Sequence, residues 1–211
     1  MAQDMPAVPA NSQAPIVAFD FDGTLTTHDS YTSFLKWRAS AARYALGLAK
    51  LAPAALAYLV HRDRGRIKAA ATREFLRGAP RGRLKADAQA FAQAMAGDFL
   101  RPDAMATWND WRSKGARLVI VSASPDFVVA PFAHKLGADA LIGTQLAFDA
   151  QDRATGEFAT PNCRGPEKVV RLRAAFGPDV RLTAAYGDTS GDREMLEMAE
   201  TAGYRIFTAN P

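Results

Sequence analysis

The sequence predicts an α/β fold: a three-layer arrangement in which a parallel sheet is covered on both faces by helices, with an all-helical insertion after the first strand. Three observations predict it. Continuous apolar runs of strand length end abruptly in polar residues, and helical stretches separate these runs. One alanine-, leucine- and arginine-rich stretch, residues 30–99, has helical spacing and no strand signal. Sheets of this kind bind ligands at the carboxyl ends of their strands, so polar residues at those ends should meet in space.

Composition narrows the class. The chain of 211 residues is 48% hydrophobic and 23% charged, which supplies a core and excludes disorder for the bulk. Cys163 is the single cysteine, so there is no intramolecular disulfide, and no Cys/His cluster has the spacing of a structural zinc site. A reducing cytoplasm is the expected compartment. Residues 1–14 hold Asp4, Pro6 and Pro9 but no apolar segment, and read as a disordered leader that directs no export.

In chain order, Pro15-Ile16-Val17-Ala18-Phe19 is a buried strand opening into the turn Asp20-Phe21-Asp22-Gly23-Thr24. The helical insertion follows. Within it, residues 44–60 are apolar except for Lys50 and the breaker Pro53. A bilayer-crossing helix needs roughly 20 apolar residues, so the segment reads as a packed cap helix or as an interfacial hairpin in peripheral contact with a membrane. Arg38, Arg43, Arg62, Arg64, Arg66, Lys68, Arg73, Arg77, Arg81, Arg83 and Lys85 crowd the same region without interleaved aromatics. That pattern suits a solvated helical surface and argues against nucleic acid. Arg73 and Arg77 share a helical face and are candidates to hold a substrate phosphate or carboxylate.

Trp108 and Trp111, one helical turn apart, read as core contacts of the helix before the second strand. That strand, residues 117–121, ends in Ser122-Ala123-Ser124-Pro125. Residues 141–148 and 156–159 flank the polar turn Gln151-Asp152-Arg153 and predict a small hairpin. A helix over 164–176 precedes a third apolar strand, 181–186, which ends in Gly187-Asp188. A helix over 193–199 and an edge strand over 204–207 complete the chain.

The Gly23 turn lets Asp20 and Asp22 reach one cavity although alternate strand residues point apart. Paired carboxylates suit a nucleophile beside a proton donor, with the first attacking phosphorus and the second protonating the leaving oxygen. Two anions facing an anionic phosphate repel, so the chemistry needs a divalent cation and a fixed ammonium. Asp188 and Lys168 are the candidates.

Asp20-Phe21-Asp22-Gly23-Thr24-Leu25-Thr26 resembles the first motif of the haloacid dehalogenase superfamily. Ser122, Lys168 and Gly187-Asp188-Thr189-Ser190-Gly191-Asp192 follow in that family's order, so the resemblance covers residues 20–192. It implies a Rossmann-like catalytic core (15–29 and 100–211), a helical cap (30–99) and phosphatase activity through an aspartyl-phosphate. It also implies roles. Asp20 would be the nucleophile, Asp22 the acid and base, Ser122 a donor to phosphoryl oxygens, and Lys168 the neutralising ammonium. Asp188 would ligate Mg²⁺ with the Asp20 carboxylate and the Asp22 carbonyl, while Asp192 would hold Lys168 or a metal-bound water from outside. An oxygen-only set suits Mg²⁺.

The insertion looks like the cap of the subgroup that includes phosphoserine phosphatase. Asp29 stands where that group has a substrate-contacting glutamate, Ala123 replaces the glycine after the motif serine, and Gly191 replaces an asparagine. Ser124-Pro125 and residues 162–169 are similar to blocks of bacterial phosphatidylglycerophosphatase C and its relatives. The expected substrate is therefore a lipid phosphate such as phosphatidylglycerophosphate, or else a small soluble phosphomonoester such as phosphoserine. Two readings from other classes stand beside these: a phosphoacceptor receiver, whose motif order disagrees, and a non-enzymatic lipid-surface binding module.

Overall fold

The computed structural model describes residues 14–61, 64–95 and 97–211. The expected leader lies outside them except for Ala14, and the Arg62 and Arg64 side chains lie outside what is described. The strands are β1 (Ile16–Phe19), β2 (Arg117–Pro125), β3 (Ala140–Thr144), β4 (Leu146–Phe148), β5 (Ala154–Phe158), β6 (Leu182–Gly187) and β7 (Ala199–Tyr204). Five of them form one sheet in the order β3-β2-β1-β6-β7, with every pairing parallel. Phe19 pairs with Ile120 on one side and Tyr186 on the other, so three strands end at one level. Asp20 and Asp188 directly follow β1 and β6, and Ser122 lies within β2 just beyond Ile120, so the three stand at the same edge of the sheet.

The strands are apolar on both faces because both are covered. Val17 and Phe19 of β1 point into one buried cluster with Phe21, Trp108 and Ile120, and the intervening Ala18 points into another with Val119, Leu172 and Met195. That alternation follows from the two-residue repeat of a strand. Each fully buried large apolar side chain contributes about 1.5–3 kcal/mol. Trp111 donates its indole N–H to the Tyr186 hydroxyl at 2.8 Å, which anchors the helix Pro102–Ser113 to the sheet.

The insertion comprises α1 (Ser30–Arg38), α2 (Ala41–Lys50), α3 (Ala52–His61), α4 (Arg64–Leu76) and α5 (Arg81–Ala94). Ser40 caps α2 by accepting the Arg43 N–H at 3.2 Å, and Asp29 caps α1 by accepting the Thr32 N–H at 2.7 Å. Residues 44–60 thus divide between two helices joined at Leu51, and among the described residues no helix is long and apolar enough to cross a membrane. The chain leaves and re-enters the sheet region side by side, with Thr26 bridged to Leu100 in antiparallel fashion. Beyond this stem follow α6 (Pro102–Ser113), α7 (Asp126–Leu136), α8 (Pro166–Phe176) and α9 (Arg193–Glu197).

Aromatic rings join the insertion to α7. Phe34 meets Phe91 at 5.7 Å and Phe127 at 5.6 Å, while Phe132 meets Phe91 at 6.0 Å and Phe99 at 5.5 Å. Edge-on and offset pairs at these separations add about 0.5–1.5 kcal/mol beyond area burial.

Several predicted elements change place. The hairpin exists as β4 and β5, but residues 140–144 belong to the main sheet, because the chain turns between Thr144 and Leu146 where a two-strand reading had run straight through. The last edge strand is Ala199–Tyr204, several residues earlier than expected, since Arg205 adopts a left-handed φ of +55° that ends it. Helix α9 is correspondingly shorter than predicted. Of the basic run, Arg38 and Arg83 pair with Asp87 and Arg43 with Glu74 inside the insertion, while Arg73 and Arg81 pair outside it, with Glu157 and Asp152.

Candidate active site

Asp20 sits at the end of β1 with its backbone extended, its N–H donating to the Tyr186 carbonyl at 2.8 Å. The chain then turns through Gly23, whose φ is +85°. A side chain there would meet strain and also collide: a Cβ would lie 2.3 Å from Asp188 Oδ2. Glycine is therefore required both to make the turn and to let the β6 end approach the β1 end.

The turn places Asp22 beneath the start of α1. Its Oδ1 accepts the Ser30 N–H at 2.6 Å and its Oδ2 accepts the Ser124 hydroxyl at 2.5 Å. Burial, aided by the nearby Asp29 charge and opposed by these donors, pushes its carboxyl up to about 6. The first turn of α8 delivers Lys168, 1% exposed, whose ammonium spends its three protons on Asp20 Oδ1 at 2.5 Å, Val121 O at 2.6 Å and Asp192 Oδ1 at 2.7 Å. Burial disfavours its charge, but the two carboxylates more than offset this and hold it cationic well above the ordinary lysine range. Two carboxylates sharing one ammonium leave negative charge over. Burial pushes Asp20 up to about 8 despite Lys168, whereas Asp192 is held below its ordinary value against burial by Lys168 and the Thr189 donors.

Asp192 uses both of its oxygens. Oδ1 takes Lys168, and Oδ2 accepts the Thr189 N–H and hydroxyl, each at 2.8 Å. Although Asp192 directly precedes the helix Arg193–Glu197, its side chain makes no capping hydrogen bond there, because it turns back into the site. Half-buried Asp188 is raised by burial and by the Asp192 charge, and its Oδ1 accepts the Thr24 hydroxyl at 3.3 Å. One oxygen from each of Asp20, Asp188 and Asp192 lies within 4.8 Å of the other two. This all-oxygen set, over-supplied with negative charge, fits a hard divalent cation. Since Asp192 is saturated by protein donors, Asp20 and Asp188 are the members with an oxygen to spare.

These groups open onto a cavity of about 530 Å³ between the sheet edge and the insertion. Its floor contains Asp20, Asp22, Lys168 and Asp192; Ala123, Ser124, Asn162 and Arg164 form a polar wall. The opposite wall is apolar and belongs to the insertion: Leu35, Tyr44, Leu48, Leu51, Ile67, Ala71 and Phe75. Asp29 stands at the junction.

Some predicted site residues stand elsewhere. Arg73 pairs with Glu157 of β5, and neither Arg73 nor Arg77 lines the cavity. The cation from α4 is Lys68, which donates to Ala123 O and, at 3.1 Å, to Asn162 Oδ1. Burial lowers it to about 8 against the Asp22 and Asp29 charges. Lys68 shares a helix face with Thr72 and Phe75, whereas Arg73 is turned about 140° away, so spacing along α4 held the distinguishing signal. Ser122 is fully buried, its oxygen accepting the Ser124 N–H at 3.0 Å, and the hydroxyl in the cavity wall is that of Ser124. Sequence reasoning also missed Arg164, which bonds Thr189 and Ser190. It passes where any side chain at Gly191 would stand, 2.5 Å from a Cβ there. Cys163 is buried and burial pushes its thiol up to about 11, in keeping with an inert side chain.

Comparison with known proteins follows this geometry. The profile of the haloacid dehalogenase-like hydrolase family matches residues 17–197. Protein CicA of Caulobacter vibrioides, from strains NA1000 / CB15N and ATCC 19089 / CIP 103742 / CB 15, is 59% identical over 196 residues, covering 93% of this chain and 88% of that protein. Among solved structures, a protein with unknown function from Bordetella pertussis Tohama I superposes with a TM-score of 0.75 at 22% identity, over 90% of this chain and 89% of that one. Phosphoserine phosphatase in its apo form has a TM-score of 0.58 at 18% identity, over 91% and 86% of the two chains. A phospho-aspartyl intermediate analogue of phosphoserine phosphatase has the same TM-score and identity, over 90% and 86%. At these identities the structural likenesses establish the fold.

Proposed function

This chain belongs to the haloacid dehalogenase-like hydrolase family, and on that premise we propose that it is a Mg²⁺-dependent phosphomonoester hydrolase working through a covalent aspartyl-phosphate. We read residues 15–29 and 100–211 as the catalytic core and residues 30–99 as a cap. The observation that carries the reading is the buried Asp20–Lys168–Asp192 chain with Asp188 beside it.

In this reading the Lys168 ammonium, together with Mg²⁺ when it is bound, would hold Asp20 as a carboxylate against the burial that raises it to about 8. Asp20 then attacks phosphorus, forming the Asp20 O–P bond as the bond from phosphorus to the ester oxygen breaks. Asp22, whose carboxyl sits near 6, gives its proton to the departing alkoxide. As a carboxylate it then takes a proton from the water that attacks the aspartyl-phosphate, releasing inorganic phosphate and restoring Asp20. Lys168 fixes the Asp20 oxygen and balances charge, with Asp192 orienting Lys168. The Ser124 hydroxyl, bonded to Asp22, steadies the proton carrier. Asp20, Asp188 and the Asp22 carbonyl would hold Mg²⁺, which when bound neutralises the phosphoryl oxygens.

The apolar wall favours a leaving group with acyl chains, that is, a lipid phosphate reached from the cytoplasm by contact with a membrane surface. A small soluble phosphomonoester such as phosphoserine is the second reading, favoured by Asp29 and Lys68, a carboxylate and an ammonium facing one cavity.

The test is phosphate release from a panel of lipid and soluble phosphomonoesters. Wild-type activity should vanish with EDTA and return with Mg²⁺, and Asp20→Asn should be inactive with an unchanged circular dichroism spectrum. Near wild-type turnover by Asp20→Asn would refute the mechanism.

A further inference from the structure

Helix α2 is inside out for a helix facing water. Its inner side carries Gly47, so close to α4 that a Cβ would lie 2.3 Å from the Phe75 ring, together with Arg43, which stands over that ring at 5.0 Å. Arg43 and Lys50 both turn toward Glu74 of α4, at 2.8 and 3.3 Å. The outward side is Ala41, Ala42, Ala45, Leu46, Leu48 and Ala49, all exposed. A surface helix in solution ordinarily presents the reverse pattern. Exposed Ala52, Pro53 and Leu56 at the start of α3 extend the patch, and Leu46, Leu48 and Leu56 are 58%, 50% and 65% exposed.

Charge identifies the partner. Residues 30–61 contain no aspartate or glutamate, while Lys36, Arg38, Arg43 and Lys50 are basic. Lys36 of α1 is exposed, and so is Lys50 at the end of α2, although its ammonium also reaches Glu74. An exposed apolar surface on a segment that supplies cations and no carboxylate of its own matches the boundary between the acyl chains and the headgroups of an anionic bilayer. The patch is also continuous with the catalytic cavity, because Leu48 belongs to both.

We propose that the outer face of α2 and the start of α3 dock on anionic membrane surfaces and present the apolar cavity wall to the lipid. The inference deepens the functional reading above and rests on it for the substrate: a phosphorylated lipid slides along Leu48 and Leu51 until its phosphate meets Asp20.

The experiment is flotation of the full-length protein with vesicles of phosphatidylcholine alone and with phosphatidylglycerol added, alongside hydrolysis of water-soluble p-nitrophenyl phosphate. Wild type should float with the anionic vesicles, and added salt should weaken this. Leu46→Glu combined with Leu56→Glu should cut binding at least about tenfold while leaving p-nitrophenyl phosphate hydrolysis unchanged, since neither residue touches the cavity. Lys36→Gln should weaken binding about fivefold.

Failure of the wild type to float, or equal flotation by the double glutamate variant, overturns the docking surface. So does a wild-type dimer that the same variant dissolves without any vesicle binding, which would make a second copy the occupant. Flotation is read without catalysis. Absent phosphate release beside normal flotation would therefore refute the functional reading and leave the docking surface standing, and the converse result would do the opposite.

Discussion

Replacing Lys168 with methionine keeps a side chain of similar length in a site that is 1% exposed, so packing is preserved and the lost element is the ammonium. The variant leaves Asp20 and Asp192 facing each other with their oxygens within 4.8 Å and no counter-charge between them. Removing one partner from a buried ion pair costs about 3–5 kcal/mol. In a chain of this size each kcal/mol moves Tm by about 2–4 °C, so Tm should fall by about 6–20 °C at pH 8 without divalent cation. The pH dependence is the discriminating part. Asp20 has a folded-state value near 8, above that of the unfolded chain, so its contribution to stability is present in acid and lost as pH rises through about 8. Loss of Lys168 raises Asp20 further. The variant's deficit should therefore be largest at pH 8 and shrink by at least half at pH 5, where one carboxylate binds a proton. Thermal melts followed by far-ultraviolet circular dichroism at both values supply the assay. An identical Tm deficit at pH 5 and pH 8, or one under about 2 °C, would refute the electrostatic account.

Gly23→Ala should destabilise the fold by about 1–3 kcal/mol through its φ of +85°. By displacing Asp188, it should also raise at least tenfold the Mg²⁺ concentration giving half-maximal activity; an unchanged Mg²⁺ titration would contradict the proposed ligand. For Lys68, burial lowers the folded value to about 8, below that of the unfolded chain. Its contribution to stability is therefore present above the unfolded value and lost as pH falls through about 8, so Lys68→Met should leave Tm at pH 7 unchanged or raised. The same substitution should raise KM at pH 7 and flatten the fall in kcat/KM that the wild type shows above about pH 8; a variant that keeps the wild-type profile would show that Lys68 does not meet the substrate anion.

The sheet edge was legible in sequence because burial on both faces writes a strand as an unbroken apolar run, and parallel pairing then forces the ends of such runs together. Asp20, Asp188 and Lys168 follow from that logic, the last because a helix N-terminus returns to the same edge. What was hidden depended on distances between side chains from separate elements. Lys68 and Arg73 are both basic residues on α4; helical spacing separates their faces, but the packing of Phe75 and Thr72 decides which face meets the cavity. Arg164 reaches the site across a glycine 27 positions later in the chain, a relation no local pattern carries. Strand β3 reads in sequence as part of the hairpin because the polar break Thr144-Gln145 is short and apolar residues, 140–142 and 146–148, stand on either side of it.

The ring cluster of Phe34, Phe91, Phe99, Phe127 and Phe132 draws its members from both sides of the Thr26–Leu100 stem. Although those adjacent stem ends would let the inserted helices be spliced out on paper, excision would strip α7 of its apolar cover. The chain should consequently melt in a single cooperative step, with α1 and α5 locked to the catalytic frame by the same rings.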